Sequence, residues 1–258
     1  MSDRFEQTLR ANVRGEVYFD RTHRGIYATD ASIYQIAPVA VCVPLDEDDV
    51  RSAVAVAADH DVPILPRGAG TSLAGQCVGR ALVIDVSKHM NRVLGIDAAR
   101  RRARVQPGVV RDNLNARLAA LGLHYAPDPA TSSRANIGGM LGNNSAGMRS
   151  IVYGMASDHI DSLRCLLADG TVLDLRELSP AEYAAEARRR DRVGEIHRRF
   201  REIIEANRDE IERRYPKIMR RCTGYALDEF HRSERWNLAK RLVGSEGTLA
   251  VTLEATLK

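Results

Sequence analysis

The sequence predicts an α/β (α+β) fold of two lobes: a small parallel βαβ lobe at about 37–97, packed on a larger antiparallel-sheet lobe with helices at about 98–258. A helical lead-in at 1–36 precedes them. Three observations carry this. Two continuous apolar runs, 38–43 and 62–65, enclose a stretch of helical period, which is the pattern of a strand–helix–strand unit in a buried parallel sheet. From Arg92 onward apolar and polar residues alternate instead, as in antiparallel strands with one face buried. At 258 residues the chain is long enough to bury both cores.

Taken in order, residues 2–14 read as a short polar helix with Phe5 and Leu9 on one face, and 17–34 as an irregular continuation. Pro44 closes the first strand. Asp46 then caps a helix that runs to Asp59 with an acidic first turn and turns Val50, Val54 and Ala57 inward. The strand at 62–65 leads into a glycine-rich loop, and 81–85 is another buried strand. Residues 93–97 and 102–106 form a hairpin ended by Pro107-Gly108, and Val110, Leu114, Leu118 and Leu121 mark a helix that Gly122 stops. A second hairpin at 159–175 turns at Asp169-Gly170. Residues 180–214 are a long charged helical excursion, and 250–257 a last alternating strand.

Composition excludes several classes. Hydrophobic content of 44% and charged content of 28% belong to a globular chain, and no apolar run approaches the roughly 20 residues of a membrane span. The N-terminal MSDRFEQTLR lacks the apolar core of a secretory signal, so the expected compartment is the cytoplasm. Cys42, Cys77, Cys165 and Cys222 stand too far apart for a C-x-x-C site and read as buried free thiols. The histidines form no metal-binding pair, and no metal is expected. The net charge of +4 is carried almost wholly by arginine, with lysine only at 88, 217, 240 and 258. Clusters such as Arg188-Arg189-Arg190 are interleaved with Glu186, Asp191 and Glu195, which describes a solvated helix rather than a nucleic-acid surface.

The chemistry centres on Pro66-Arg67-Gly68-Ala69-Gly70-Thr71-Ser72-Leu73-Ala74-Gly75. Three glycines free the main chain to bring its amides close to an anion, and Thr71 and Ser72 add hydroxyls. A glycine-rich surface turn is the alternative. Two nucleotide motifs fail on spacing. A G-x-G-x-x-G fingerprint needs glycine at Leu73 and a following helix, yet the next strand begins only nine positions after Ser72. The G-x-x-x-x-G spacing from Gly70 to Gly75 is followed by Gln76-Cys77, not by the Lys and Ser/Thr of a P-loop. The second unusual stretch, 128–147, carries four glycines and a series of small side chains in its latter half. Close packing of a helix and contact with a ligand are both open readings of it.

Four ordered motifs carry a resemblance. They are the segment 66–72; Pro127-Asp128-Pro129 with Ile137-Gly138-Gly139 and Asn143-Asn144-Ser145-Ala146-Gly147; Tyr153-Gly154 with Asp158-His159-Ile160; and Gly244-Ser245-Glu246-Gly247-Thr248-Leu249. From about residue 24 to 258 the chain resembles the FAD-binding (PCMH-type) domain of the vanillyl-alcohol oxidase/para-cresol methylhydroxylase flavoproteins. Within them it is most similar to the D-lactate, glycolate and D-2-hydroxyglutarate dehydrogenase branch, whose large members carry a downstream iron–sulfur domain.

The resemblance implies FAD extended between the lobes, with its diphosphate on 66–72. The implied contacts are Pro66, Arg67, Gly68, Ala69, Gly70, Thr71 and Ser72; Asp128, Thr131, Ile137, Gly138 and Gly139; Asn143, Asn144, Ser145 and Ala146; Ile160; and Glu246, Gly247 and Thr248. No catalytic residue is assigned. Arg221, Thr223, Gly224 and Tyr225 are candidates near the flavin ring, or else an ordinary turn, and His159 is expected to be structural or cofactor-facing rather than a general base. Ala69 stands where the family often has glycine, which requires a negative φ there. The first loop lacks the histidine of covalently flavinylated relatives, so non-covalent FAD is expected.

The substrate-binding and iron–sulfur domains of relatives are expected to lie outside this chain. The implied whole-protein chemistry is hydride transfer from a small 2-hydroxy acid to flavin N5, with electrons passed to an unidentified acceptor that could hold the protein at the inner membrane. Two other readings stay open: a self-sufficient flavin oxidase or reductase roofed by 180–214, and a non-catalytic FAD-binding interaction domain.

Overall fold

The computed structural model describes residues 2–221, 224–231 and 235–258. The first lobe runs α1 (Ser2–Asn12), β1 (Glu16–Tyr18), α2 (Arg21–Ile26), β2 (Ala40–Val43), α3 (Glu47–Asp59), β3 (Ile64–Arg67) and β4 (Leu82–Asp85). Its sheet has the order β1-β2-β4-β3, with β2, β4 and β3 parallel and β1 antiparallel at the edge. Asp46 caps α3 by accepting from the amides of Asp48 and Asp49, as the acidic turn predicts. The last acidic residue of that turn, Asp49, is buried and accepts from the amides of Arg14, Gly15 and Leu45 and from the Arg14 guanidinium. These bonds outweigh burial and hold its carboxyl below the usual range. They also bind the lead-in to the lobe. Phe5 and Leu9 complete its core beside Val50 and Val54.

Two expectations need correction here. The lead-in is not irregular throughout, because residues 16–18 pair with β2 as an edge strand. The run at 62–65 is not fully buried either: β3 is the opposite edge, and all four of its residues are only half-buried. Since β4 inserts between β2 and β3, the glycine loop is itself the crossover between two parallel neighbours.

The second lobe runs β5 (Val93–Asp97), β6 (Arg102–Val105), α4 (Arg111–Ala119), α5 (Ile137–Gly142), α6 (Ser150–Tyr153), β7 (Ile160–Leu166), β8 (Val172–Leu178), α7 (Pro180–Ala187), α8 (Arg192–Ala206), α9 (Arg208–Arg214), α10 (Asp228–His231), β9 (Trp236–Asn237), α11 (Ala239–Leu242) and β10 (Val251–Leu257). Its sheet is antiparallel throughout, in the order β5-β6-β10-β7-β8-β9. The change of sheet falls between β4 and β5, before the expected boundary at 97, because the whole hairpin belongs to the second sheet.

One core joins the lobes. Leu166, Val251 and Leu253 of the second lobe pack with Leu82, Ile84 and the inner face of α3. Arg164 of β7 donates to Glu47 at 3.0 and 2.9 Å and to Asp174 at 2.9 and 2.8 Å, bracing the same junction. The lobes therefore meet as a fixed pair, with a cleft between their loops.

Candidate functional site

A cleft of about 330 Å³ opens where the glycine crossover, α5 and the loop before β10 converge. Arg67, at the end of β3, shapes the first wall. Its guanidinium donates to the carbonyls of Tyr27, Cys77 and Thr29 at 3.2, 2.8 and 2.7 Å and lies over the Tyr27 ring. Tyr27 in turn donates to Asp85 at 2.6 Å, and burial, followed by that bond, raises its phenol above the usual range. The only left-handed residue between Gly68 and Ser72 is Gly70, at φ +66°, so Ala69 keeps the negative φ it needs. Among the described residues, no backbone N–H from Gly68 to Ser72 donates to an acceptor within the protein. Five consecutive amides are thus available to a ligand.

The other walls are tied to this one. Ser72 accepts at its hydroxyl from the Asn143 amide and from the Cys77 thiol, both at 3.4 Å, which bridges the two glycine-rich stretches directly. Gln76 donates to Glu246 at 3.2 Å, bridging the first loop to the third. Glu246 and Gly247 hold φ of +52° and +78°, and the bend turns their backbone along the cleft. On α5, Gly139 and Gly142 face the cleft with no side chain, while Met140 and Leu141 anchor the helix in the core.

Asn136 supplies the sharpest feature. It is 4% exposed, and its amide nitrogen donates to the Gly108 carbonyl at 2.8 Å, which fixes the orientation of the amide. Its Oδ1 is left buried and without a hydrogen-bond partner, 2.7 Å from where a β-carbon on Gly68 would sit. A buried acceptor without a donor costs about 1–3 kcal/mol. Free amides and hydroxyls suit phosphate oxygens, and an orphaned acceptor suits a hydroxyl or amino donor. FAD carries both kinds of group, so the residues present fit it.

The cleft brings together Pro66, Arg67, Gly68, Ala69, Gly70, Thr71, Ser72, Thr131, Gly138, Gly139, Asn143, Ser145, Glu246 and Gly247. Six other expected contacts are not on its wall. Ile137 and Ile160 are fully buried in the second core, because α5 and β7 turn them inward. Asp128 is held by Arg149 at 2.8 Å; those bonds overcome burial and keep its carboxyl below the usual range. Ala146 lies in the adjoining turn, between Ser145 and Gly147. Asn144, at φ +48°, accepts from the Ser157 amide. Thr248 donates to the Ser245 carbonyl at 2.6 Å and shares a hydrogen bond with the Tyr225 hydroxyl at 2.8 Å.

The ring candidates divide. Tyr225 reaches Thr248 and stacks under Arg241, whose guanidinium lies 3.9 Å from its ring centroid and is lowered in pKa by burial. Arg221 pairs with Asp228 and Glu229, and it lines a separate pocket with Gly224. Thr223 and Cys222 lie outside the described residues. His159 hydrogen-bonds to the Tyr153 carbonyl at 2.7 Å and lines a different cavity. Sequence reasoning missed Gln76, Cys77, Leu242 and Thr252 as cleft residues, since nothing in their type marks them. Cys42 and Cys165 are buried thiols, pushed up to about 12 by desolvation, whereas Cys77 is only half-buried at the cleft.

Two lobes closing on a cleft of free amides, bare glycines and one orphaned acceptor define a dinucleotide-cofactor-binding domain. The sequence profile of the FAD binding domain family matches residues 38–176, more than half of the chain. The chain belongs to that family, in its PCMH/VAO-type form. It is 39% identical over 98% of its length to D-2-hydroxyglutarate dehydrogenase of Pseudomonas putida, covering 26% of that protein. It is also 36% identical over 62% of its length to glycolate oxidase subunit GlcD of Bacillus subtilis, covering 35% of it. Among solved structures, alkyldihydroxyacetonephosphate synthase superposes with a TM-score of 0.70 at 22% identity, covering all of this chain and 41% of that one, which shows the shared fold. The chain spans about a quarter of the length of the curated dehydrogenases it matches.

Proposed function

We propose that this chain is the FAD-binding part of a flavin-dependent 2-hydroxy-acid dehydrogenase of the D-lactate, glycolate or 2-hydroxyglutarate type. The observation that carries the reading is the junction at Ser72. There a loop of five unbonded amides is tied to the Asn143 end of α5, with the orphaned Asn136 oxygen beside it. Bound FAD supplies the electron acceptor for oxidation of the hydroxyl-bearing carbon.

The chain's own residues bind and orient the cofactor. The amides of Gly68 to Ser72, with the Thr71 hydroxyl, meet the diphosphate, and Asn136 accepts from a hydroxyl or amino group. Glu246 and Gln76 latch the third loop to the first. Asp128 and Asn144 act one step back, holding the turns on either side of α5. The binding is non-covalent, since residues 66–75 hold no histidine or cysteine to bond the flavin. Substrate-binding and iron–sulfur regions are assigned to the part of the protein outside this chain, along with contacts to the small 2-hydroxy acid and to the electron acceptor. Among the described residues no helix is long and apolar enough to cross a membrane. The compartment proposed is the cytoplasm, with any membrane contact made peripherally through the electron acceptor. No nucleic-acid partner is proposed.

Titrating FAD into the chain and following flavin fluorescence tests this. Saturable 1:1 uptake at micromolar FAD, with all flavin released into the supernatant on acid precipitation, is the expected result. Failure to take up FAD would sink the reading, and flavin retained on the acid pellet would sink the non-covalent part of it.

A further inference from the structure

Among the described residues that line the cleft, Arg67 is the only arginine, lysine or histidine. A diphosphate calls for positive charge, and on these walls only Arg67 carries a formal one. Yet its side chain is turned away from the space a ligand would fill. The guanidinium is engaged by the carbonyls of Tyr27, Thr29 and Cys77 and packs over the Tyr27 ring.

Those three bonds tie the glycine crossover together. Arg67 stands at its start and Cys77 near its end, ten residues on, while Tyr27 and Thr29 belong to the lead-in. The lead-in meets the loop again where the Ala31 amide donates to the Gly70 carbonyl at 3.1 Å. A β-carbon on Gly70 would sit 2.6 Å from a guanidinium nitrogen of Arg67. The charge therefore lies directly behind the middle of the five amides from Gly68 to Ser72. Among the described residues no carboxylate pairs with it. Asp30, whose carboxylate feels that charge, is held instead by the amides of Ser32 and Cys77 at 2.8 and 3.3 Å. A guanidinium bonded to carbonyls alone keeps its full charge, and away from bulk water its field reaches a neighbouring anion with less screening.

Resting on the FAD reading, we propose that Arg67 is a positioning residue for the diphosphate and acts on it through the loop. Its bonds hold the amides in one arrangement before the cofactor arrives, and its charge adds to theirs from behind, with no bond from the guanidinium to a phosphate oxygen. Arginine suits the task because its planar fork spans three carbonyls, which the point charge of a lysine does not.

FAD titrations at low and high salt on the wild-type chain, Arg67→Lys and Arg67→Gln test this, with thermal unfolding of each FAD-free chain alongside. Arg67→Lys keeps the charge and loses the fork: FAD should bind about tenfold more weakly, and high salt should weaken it by the same factor as in wild type. Arg67→Gln loses both: affinity should fall about a hundredfold at low salt, and most of the salt response should go with it. A role in loop structure alone would lower both affinities without changing that response. In a crystal structure with FAD the guanidinium should stay on its three carbonyls. Wild-type affinity in Arg67→Lys, an unchanged salt response in Arg67→Gln, or a guanidinium turned onto a phosphate overturns the inference while leaving the FAD reading intact. Should Arg67→Gln fail to fold, Arg67→Lys and the crystal structure still decide. A wild-type chain that takes up no FAD overturns the FAD reading, and this inference with it.

Discussion

The two glycine-rich stretches look alike in sequence and meet different neighbours in the fold. In the first, a β-carbon on Gly68 would strike the Asn136 side chain and one on Gly70 the Arg67 guanidinium. These are side chains bordering the cleft. In the second, a β-carbon on Gly138 would come within 2.7 Å of Pro107, and one on Gly147 within 2.0 Å of the Asp128 carbonyl. Those contacts are packing, largely against backbone. Gly139, one residue from Gly138, meets nothing within 4 Å and faces the cleft. Glycine in the first loop keeps a ligand site bare. In the second, close packing and ligand approach are divided residue by residue around one helical turn.

The comparison breaks most readily at Gly147. Its surroundings are main chain that cannot swing away, so Gly147→Ala should cost about 3 kcal/mol of stability in urea unfolding. Loss of FAD binding would follow only from loss of fold. An unchanged midpoint would mean that the second stretch is not packed as described.

Gly70→Asp reverses that order. With φ at +66° and a β-carbon pressing on the Arg67 guanidinium, the strain should be about 2 kcal/mol, but a carboxylate beside five amides meant for a diphosphate should lower FAD affinity at least about a hundredfold, roughly 2.7 kcal/mol. A folded variant that still binds FAD like wild type contradicts the anion site.

Gly139→Ala separates the two roles most cleanly. A methyl in open space on a helix should leave stability equal or up to about 1 kcal/mol higher. Projecting into the cleft, it should nonetheless weaken FAD by about tenfold, near 1.4 kcal/mol. Unchanged affinity in fluorescence titration would move the cofactor off α5.

The smallest effect concerns β1, which ties the lead-in to the segment after β4. Hydrogen bonds to Glu16 from Lys88 first, then from Tyr18 and His89, lower its carboxyl from 4.5 to about 2. A carboxyl lowered on folding gives stability that is whole above its unfolded pKa and is lost as pH falls through the folded one. Glu16→Gln should therefore flatten the stability profile between pH 4.5 and 2 and leave its neutral-pH slope alone. A wild-type profile that is already flat there removes this brace from the account.

Much of this was legible because it is local. The continuous run of β2, the Asp46 cap and the alternation of β10 each state their element within a few residues. What escaped depends on placement. Residues 16–18 are too few to show a period and become a strand only by pairing with β2. β3 reads as buried until β4 inserts beside it and leaves it at the edge. At the cleft, Gly68, Gly70 and Gly139 announced themselves by the missing side chain. Gln76 and Thr252 reach the same wall through tertiary folding alone, and Asp128 and Asn144 resemble ligand contacts while serving as turn anchors.

The central claim is that both stretches hold one extended FAD. Amide hydrogen exchange, recorded across an FAD titration, measures this directly. Protection at 67–72 and at 139–145 should rise together, with the same dependence on FAD, while the Gly154 and Ala156 amides, already bonded to Ser150 and Ser145, stay protected from the outset. Protection that appears in one stretch only, or at different FAD concentrations in the two, contradicts the claim.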